Sequence, residues 1–332
     1  MEGTPEMVTE TLTVQAVATD RKSFTQLIWQ SSTIVALVVL IVVFAIASGG
    51  RFASASNLTN ILNAVAILTI VAVAQTIVMV VGDFDLSVGM TATLGGATAG
   101  ALLVDGSNLG MAILGGIGVG VLIGAVNGLL VAFLNISAFV ATLATMTAVG
   151  GLNLLITDGT NIYGWPEEFN IVGQMRINGI PAPVIYAVVI SIVVWLILRF
   201  TTLGRRWYAI GGNPEVARLS GVSVRPTRFF AFVAAGGLSA LAGVVLVSRL
   251  GSAGPHAADD RMMFAVAAVF LGMTLLRSGQ ANIGGTLIGV AIIGVVQNGL
   301  NLVGINTYIQ QVLIGAIIIG AVLLSGLKNR NA

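Results

Sequence analysis

Cysteine is absent from the 332 residues, histidine occurs once, and charged side chains make up only 8% of the chain. Without cysteine there are no disulfides, thiolate nucleophiles or cysteine metal sites, and His256 alone cannot form a histidine cluster, so a redox enzyme or metalloenzyme has little to be built from. Lysine is confined to Lys22 and Lys328 in the two tails, and no G-x-x-x-x-G-K-[ST] loop occurs. The chain therefore does not hydrolyse a nucleotide by a P-loop of its own. A formal charge of +2 leaves no basic footprint for nucleic acid. So few charges cannot cover a soluble globule of this size.

What is abundant is apolar: 56% of residues are hydrophobic and the mean hydropathy is +1.00. Runs of roughly 20 apolar residues, the length that crosses a bilayer at about 1.5 Å per residue, recur along the chain. Forty-two glycines suit closely packed helices better than a barrel of alternating strands. The expected fold is all-α, a polytopic membrane protein with about ten transmembrane helices. These fall at about 27–48, 58–81, 89–104, 109–134, 138–157, 182–200, 228–247, 262–276, 283–303 and 308–326, with Trp29 an interfacial anchor. Residues 1–26 read as a polar tail without the pattern of a cleaved signal peptide. The membrane domain is 27–326, including a polar loop at 201–227, and 327–332 form a second tail.

With the N-terminus inside, eleven of the fifteen basic residues fall on the inner side: Arg21, Lys22, Arg199, Arg205, Arg206, Arg218, Arg225, Arg228, Arg277, Lys328 and Arg330. Arg51, Arg176, Arg249 and Arg261 fall outside. The positive-inside rule thus places both termini in the cytoplasm of a multi-pass protein in lipid. Asn127-Gly128-Leu129 in the fourth span recurs as Asn298-Gly299-Leu300 in the ninth, five spans later and so in opposite orientation, which fits an inverted repeat. Gly116, Gly120, Gly124 and Gly128 make a smooth face on the fourth span for another helix backbone.

Three polar features interrupt the apolar pattern. In the loop 203–228, Asn213 is suited to cap a helix, Pro214 to its first position, Glu215 to its positive end and Gly221 to its termination, which defines a short surface helix over 214–220. That helix is either a docking knob for another protein or an ordinary loop helix. The segment 82–89 breaks a hydrophobic run with Asp83 and Asp85, which are either functional intramembrane carboxylates or solvated caps, with Asp85 placed to cap the next helix. Uncharged polar residues within spans, namely Gln75, Asn127, Thr142, Thr145, Asn153, Gln297, Asn298 and Asn301, either line a path for a neutral hydroxylated solute or bond helix to helix. Gln75, Asp85, Ser87, Asn127, Thr145 and Asn298 are the path candidates.

The stretch Leu203 to Arg228, LGRRWYAIGGNPEVARLSGVSVRPTR, resembles the coupling loop of ribose-type ABC permeases, whose pattern runs close to GRRxYAIGGNPEAARLSGI. The resemblance extends over roughly residues 60–325. Gly82 to Gly89 is similar to the family's GGIDLSVG, Phe139 to Gly151 to its FVxTLGTMTxxRG, and Leu250 to Ala253 with Asn298 to Gln311 to LGSA…NGLNLLGV…QQ. The chain departs from the family at Gly272 to Gly279, where a GGTSLxGG is usual, and at Gly82-Asp83-Phe84. The resemblance, to permeases of the ribose, xylose and galactoside type, implies a non-catalytic membrane subunit of a sugar importer in the bacterial inner membrane. It implies no cofactor on this chain, with ATP and Mg held by a cytoplasmic ABC ATPase subunit. The other implied partners are a periplasmic sugar-binding protein, a second permease copy or homologous permease, and membrane lipid. The coupling role carries over to Asn213, Pro214, Glu215, Ala217, Arg218 and Gly221.

An ion-coupled secondary transporter needs intramembrane acids and bases, and the spans hold essentially none beyond Asp83 and Asp85. A permease of the same superfamily for nucleosides or branched-chain amino acids is the nearer alternative. The acids of the outer loops, Asp105, Asp158, Glu167, Glu168, Asp259 and Asp260, would suit a partner with a basic rim.

Overall fold

The computed structural model describes residues 24–273, 279–306, 308–313, 315, 316 and 319, with the side chains of 24–33 undescribed. The expectations for the tails, for Trp29 as an anchor, for the 274–278 part of the divergent 272–279 segment and for most of the span at 308–326 therefore lie outside the described residues.

Apolar composition over whole bilayer lengths makes helices, because a backbone in lipid must satisfy its own hydrogen bonds. The described helices are α1 (Phe24–Ala47), α2 (Ala55–Val80), α3 (Val88–Val104), α4 (Leu109–Gly128), α5 (Ala138–Thr157), α6 (Glu167–Gln174), α7 (Ala182–Phe200), α8 (Thr202–Gly212), α9 (Pro214–Leu219), α10 (Val224–Leu250), α11 (Asp259–Met273) and α12 (Ile283–Val303). A π-turn over Leu129–Phe133 extends α4, and among the described residues six helices are long and apolar enough to cross a membrane, with Val88–Val104 a shorter apolar helix between them. The only described sheet is a two-residue hairpin, Arg176–Ile177 against Ile180–Pro181. The first nine expected spans coincide with these helices to within a few residues.

The loops sort onto two faces. One carries the turn 82–87, the end of α4 and helices α8 and α9, as shown by the contacts of Gly82 with Gly211 and of Phe133 with Phe229. The opposite face carries α6 and the loop after α10, joined by the Ile162–Ala253 bridge and by Gly173 N–H, which donates to Ser248 Oγ at 2.7 Å.

Helices α2 and α10 form the centre. Over their most apolar stretches 78% and 67% of residues are buried, against 22% for α5, whose remaining surface faces outward. α10 packs along α2, α3 and α4, while α2 packs along α10, α11 and α12. Exchanging the two trios maps these contacts onto one another, the arrangement an inverted repeat requires. Asn127 lies at the α8–α9 end of α4 and Asn298 near the opposite end of α12, as that inversion demands.

Glycine makes the central packing feasible. A Cβ on Gly124 would lie 2.3 Å from the Phe232 carbonyl oxygen, and one on Gly243 would lie 1.6 Å from that of Ala92, so α10 touches α4 and α3 backbone to backbone. Of the stripe expected on α4, Gly120, Gly124 and Gly128 meet α10, while Gly116 lies nearest Gly95 of α3.

Candidate functional site

Helix α9 begins because Asn213 is extended and its Oδ1 accepts the N–H groups of Glu215 (3.0 Å) and Val216 (3.1 Å), which would otherwise lack partners. Pro214 occupies the first position, where its missing N–H costs nothing. The helix ends at Gly221, whose φ of 82° places it in the left-handed region. Gly221 N–H donates to Arg218 O and Val222 N–H to Ala217 O, each at 3.0 Å, a Schellman closure. Each terminator read from the sequence does its expected local work, although α9 stops at Leu219.

Ala217 alone points inward, into a cluster with Trp207, Ile210, Val80 and Val81. Glu215 and Arg218 are exposed and paired, with Arg218 Nε donating to Glu215 Oε2 at 3.2 Å. That guanidinium holds the Glu215 carboxyl below its usual range, and the carboxylate raises Arg218 in turn. Val216 and Leu219, 58% and 76% exposed, complete the outer surface. Singling out the polar and capping residues missed these two, which stand on the face of α9 that Ala217 does not use.

The segment before α9, which the sequence presents as loop, is also a helix. Gly204, Gly211 and Gly212 disguised it. The available signal was Leu203, Trp207 and Ile210 at helical spacing, which give α8 an apolar side. Thr201 caps α8 by accepting Gly204 N–H at 3.2 Å, Trp207 Nε1 donates to Thr227 O at 2.9 Å, and Tyr208 Oη donates to Ala281 O at 3.0 Å. A Cβ on Gly211 would meet Val80 O at 2.0 Å. Thus α8 is pressed against the end of α2 and carries α9 with it.

At that end, α2 stops through a second Schellman closure, Gly82 N–H to Met79 O (3.2 Å) and Asp83 N–H to Val78 O (3.1 Å). Asp83 and Asp85 are 5% and 1% exposed, so neither is a solvated cap. Asp83 receives a bidentate ion pair from Arg228 in α10, 145 residues away. Asp85 Oδ1 accepts Ser87 N–H (2.8 Å) and Ser87 Oγ–H (2.6 Å), so it shapes the turn one step upstream, while Ser87 itself stands at the N-cap of α3. Asn127 Nδ2 donates to Ser87 Oγ at 2.9 Å, Leu86 N–H donates to Thr142 Oγ1 at 3.1 Å, and Asn153 Nδ2 donates to Met90 O at 3.2 Å. The broken segment is therefore clamped by α4, α5 and α10 together.

The path candidates divide among separate places. Asp85, Ser87 and Asn127 form the clamp just described. Asn298 forms a reciprocal amide pair with Asn57 near the opposite face, at 2.8 and 3.0 Å. Thr145 is half-buried on α5, with its hydroxyl on Ala141 O at 3.0 Å. Gln75 is fully buried in α2, and among the described residues neither Oε1 nor Nε2 has a partner.

The family described as branched-chain amino acid transport system / permease component matches residues 57–322. The chain is 39% identical over 254 residues to the ribose import permease protein of Bacillus subtilis (strain 168), covering 76% of this chain and 79% of that one. It is 33% identical over 281 residues to the D-allose transport system permease protein of Escherichia coli K12, covering 84% and 86%. The L-arabinose transport system permease protein of the same strain is 35% identical over 233 residues, or 70% and 71%. No solved structure matches the chain.

Proposed function

The chain belongs to the branched-chain amino acid transport system / permease component family, and on that footing we propose that it is the membrane-spanning subunit of an ABC importer for a monosaccharide or related polyhydroxylated solute. The sugar reading rests on the relatives, named for ribose, D-allose and L-arabinose transport. In this reading both termini are cytoplasmic in a bacterial inner membrane, a periplasmic binding protein delivers the solute to the α6 face, and two permeases pair above two ATPase subunits. ATP and Mg are bound by those ATPase subunits, which lie against the α8–α9 face.

The observation that carries the reading is the build of α9: capped at both ends, anchored by Ala217, and presenting Glu215, Val216, Arg218 and Leu219 outward. A short rigid helix with an exposed mixed surface fits a groove on a partner. When ATP closes the ATPase pair, α9 moves with it. The motion passes through the Ala217–Trp207–Val81 cluster and the Asp83–Arg228 pair to the broken segment 82–87. From there Ser87–Asn127 and Leu86–Thr142 lead to α4 and α5. Alternating access follows if these contacts have two arrangements, one for each orientation of the transporter.

The test is copurification of the tagged full-length chain with its ATPase subunit, comparing wild type with Glu215→Ala and Gly221→Pro. Association with wild type that weakens in both variants is the expected result. No association in wild type, together with uptake by the isolated chain driven by an ion gradient, would replace this reading with a secondary transporter.

A further inference from the structure

On the α8–α9 face, the end of α7, the start of α8 and the start of α12 enclose a groove of about 590 Å³. Trp195, Arg199, Arg205, Tyr208, Asn282 and Gly284 line it. Both arginines are exposed, and among the described residues neither has a carboxylate partner; Arg205 Nη1 reaches only the Phe200 carbonyl, at 3.5 Å. The floor is fixed, because Tyr208 Oη is held on Ala281 O and the Asn282 side chain accepts Gly285 N–H at 2.8 Å. The positive end of a 21-residue helix, α12, therefore opens into the same space as the two guanidiniums.

The groove also lies at a definite depth. Val188, Val189, Ile192, Val193, Trp195 and Leu196 are exposed along α7, so an apolar strip runs up to the arginines and stops there. Trp195 stacks edge to face on Phe200 at 5.4 Å, the placement of aromatic rings where hydrocarbon gives way to headgroups. An anion with an apolar tail satisfies both halves of this surface, since oxygens meet the guanidiniums while chains lie on α7. We propose that this groove binds an anionic phospholipid, with its headgroup phosphate on Arg199 and Arg205 and its acyl chains along α7.

The proposal rests on the chain spanning a membrane and not on what it transports. It is tested by native mass spectrometry of the detergent-purified full-length chain. Phosphatidylglycerol and phosphatidylcholine with matched acyl chains are compared on wild type, Arg199→Gln/Arg205→Gln and, as a control, the exposed neighbour Arg206→Gln. Wild type is expected to retain phosphatidylglycerol in preference, by about five-fold for each arginine. The double variant should lose that preference with unchanged thermal melting, and Arg206→Gln should keep it. Equal retention of the two lipids by wild type would overturn the proposal, as would loss of preference in Arg206→Gln to the same extent. Inorganic phosphate alone is added in a separate arm; if it raises the melting temperature of wild type but not of the double variant, and lipid shows no preference, the groove is a free-anion site. A double variant that keeps its lipid preference but loses its ATPase subunit would assign the groove to protein docking and also overturn the lipid site.

Discussion

Asp83 in the break between α2 and α3 and Arg228 in the second turn of α10 form a bidentate ion pair that ties the broken segment to the helix immediately following α9. The carboxylate is nearly buried while the guanidinium keeps partial access to solvent. Removing Arg228 leaves the Asp83 carboxylate with almost no water and no counter-charge, which is where most of the penalty arises.

Arg228→Ala is therefore expected to destabilise the protein by about 2–4 kcal/mol. The check is thermal melting of the purified chain in detergent, with ATPase-coupled uptake in proteoliposomes alongside. If the pair also transmits motion, Arg228→Lys, which keeps the charge but not the fork, should retain most of the stability while lowering the solute moved per ATP hydrolysed. A Lys variant with unchanged coupling would confine the pair to a structural role.

Leu219 is exposed and makes no core contact, so Leu219→Asp should leave melting within about 0.5 kcal/mol of wild type. Placed at the centre of a docking surface, the same change is expected to weaken ATPase association by roughly ten-fold. A surface-immobilised ATPase subunit would read the affinity directly, and equal binding by both proteins would remove Leu219 from the interface.

Gln75 buries a primary amide that has no partner for either end among the described residues, a costly arrangement that a purely structural position would not need. Gln75→Leu is expected to raise stability by about 1–3 kcal/mol, because it removes unsatisfied polar groups while preserving shape. Uptake is expected to fall. Melting and uptake measured on one preparation check this; a gain in stability with full uptake would show that the amide serves no transport step.

The glycine contacts predict a contrast within one helix. Gly124→Val would drive side-chain atoms into the α10 backbone and should cost at least about 1–3 kcal/mol, with poor recovery of folded protein. A Cβ at Gly118 meets nothing within 4 Å, so Gly118→Val should be recovered normally. Size-exclusion profiles of the two variants decide it.

The sequence by itself determined the membrane, the spans and α9. Each follows from short-range physics: an apolar run of bilayer length has to be helical, and Asn213, Pro214 and Gly221 act on backbone groups within a few residues of themselves. Helix α8 was legible in principle through Leu203, Trp207 and Ile210, but its glycines and low hydropathy concealed it. Only the tertiary structure decided that Asp83 belongs to Arg228, that Asn298 belongs to Asn57, and that Ser87, Asn127 and Thr142 meet at one break. It also decided that Gln75 has no partner among the described residues and that Arg199 and Arg205 share a groove with the start of α12. These depend on how helices far apart in the chain lie against one another, which is set by backbone contacts such as Gly124 on α10. No periodicity within a single span encodes that, because in lipid the outward and inward faces of a helix are both apolar.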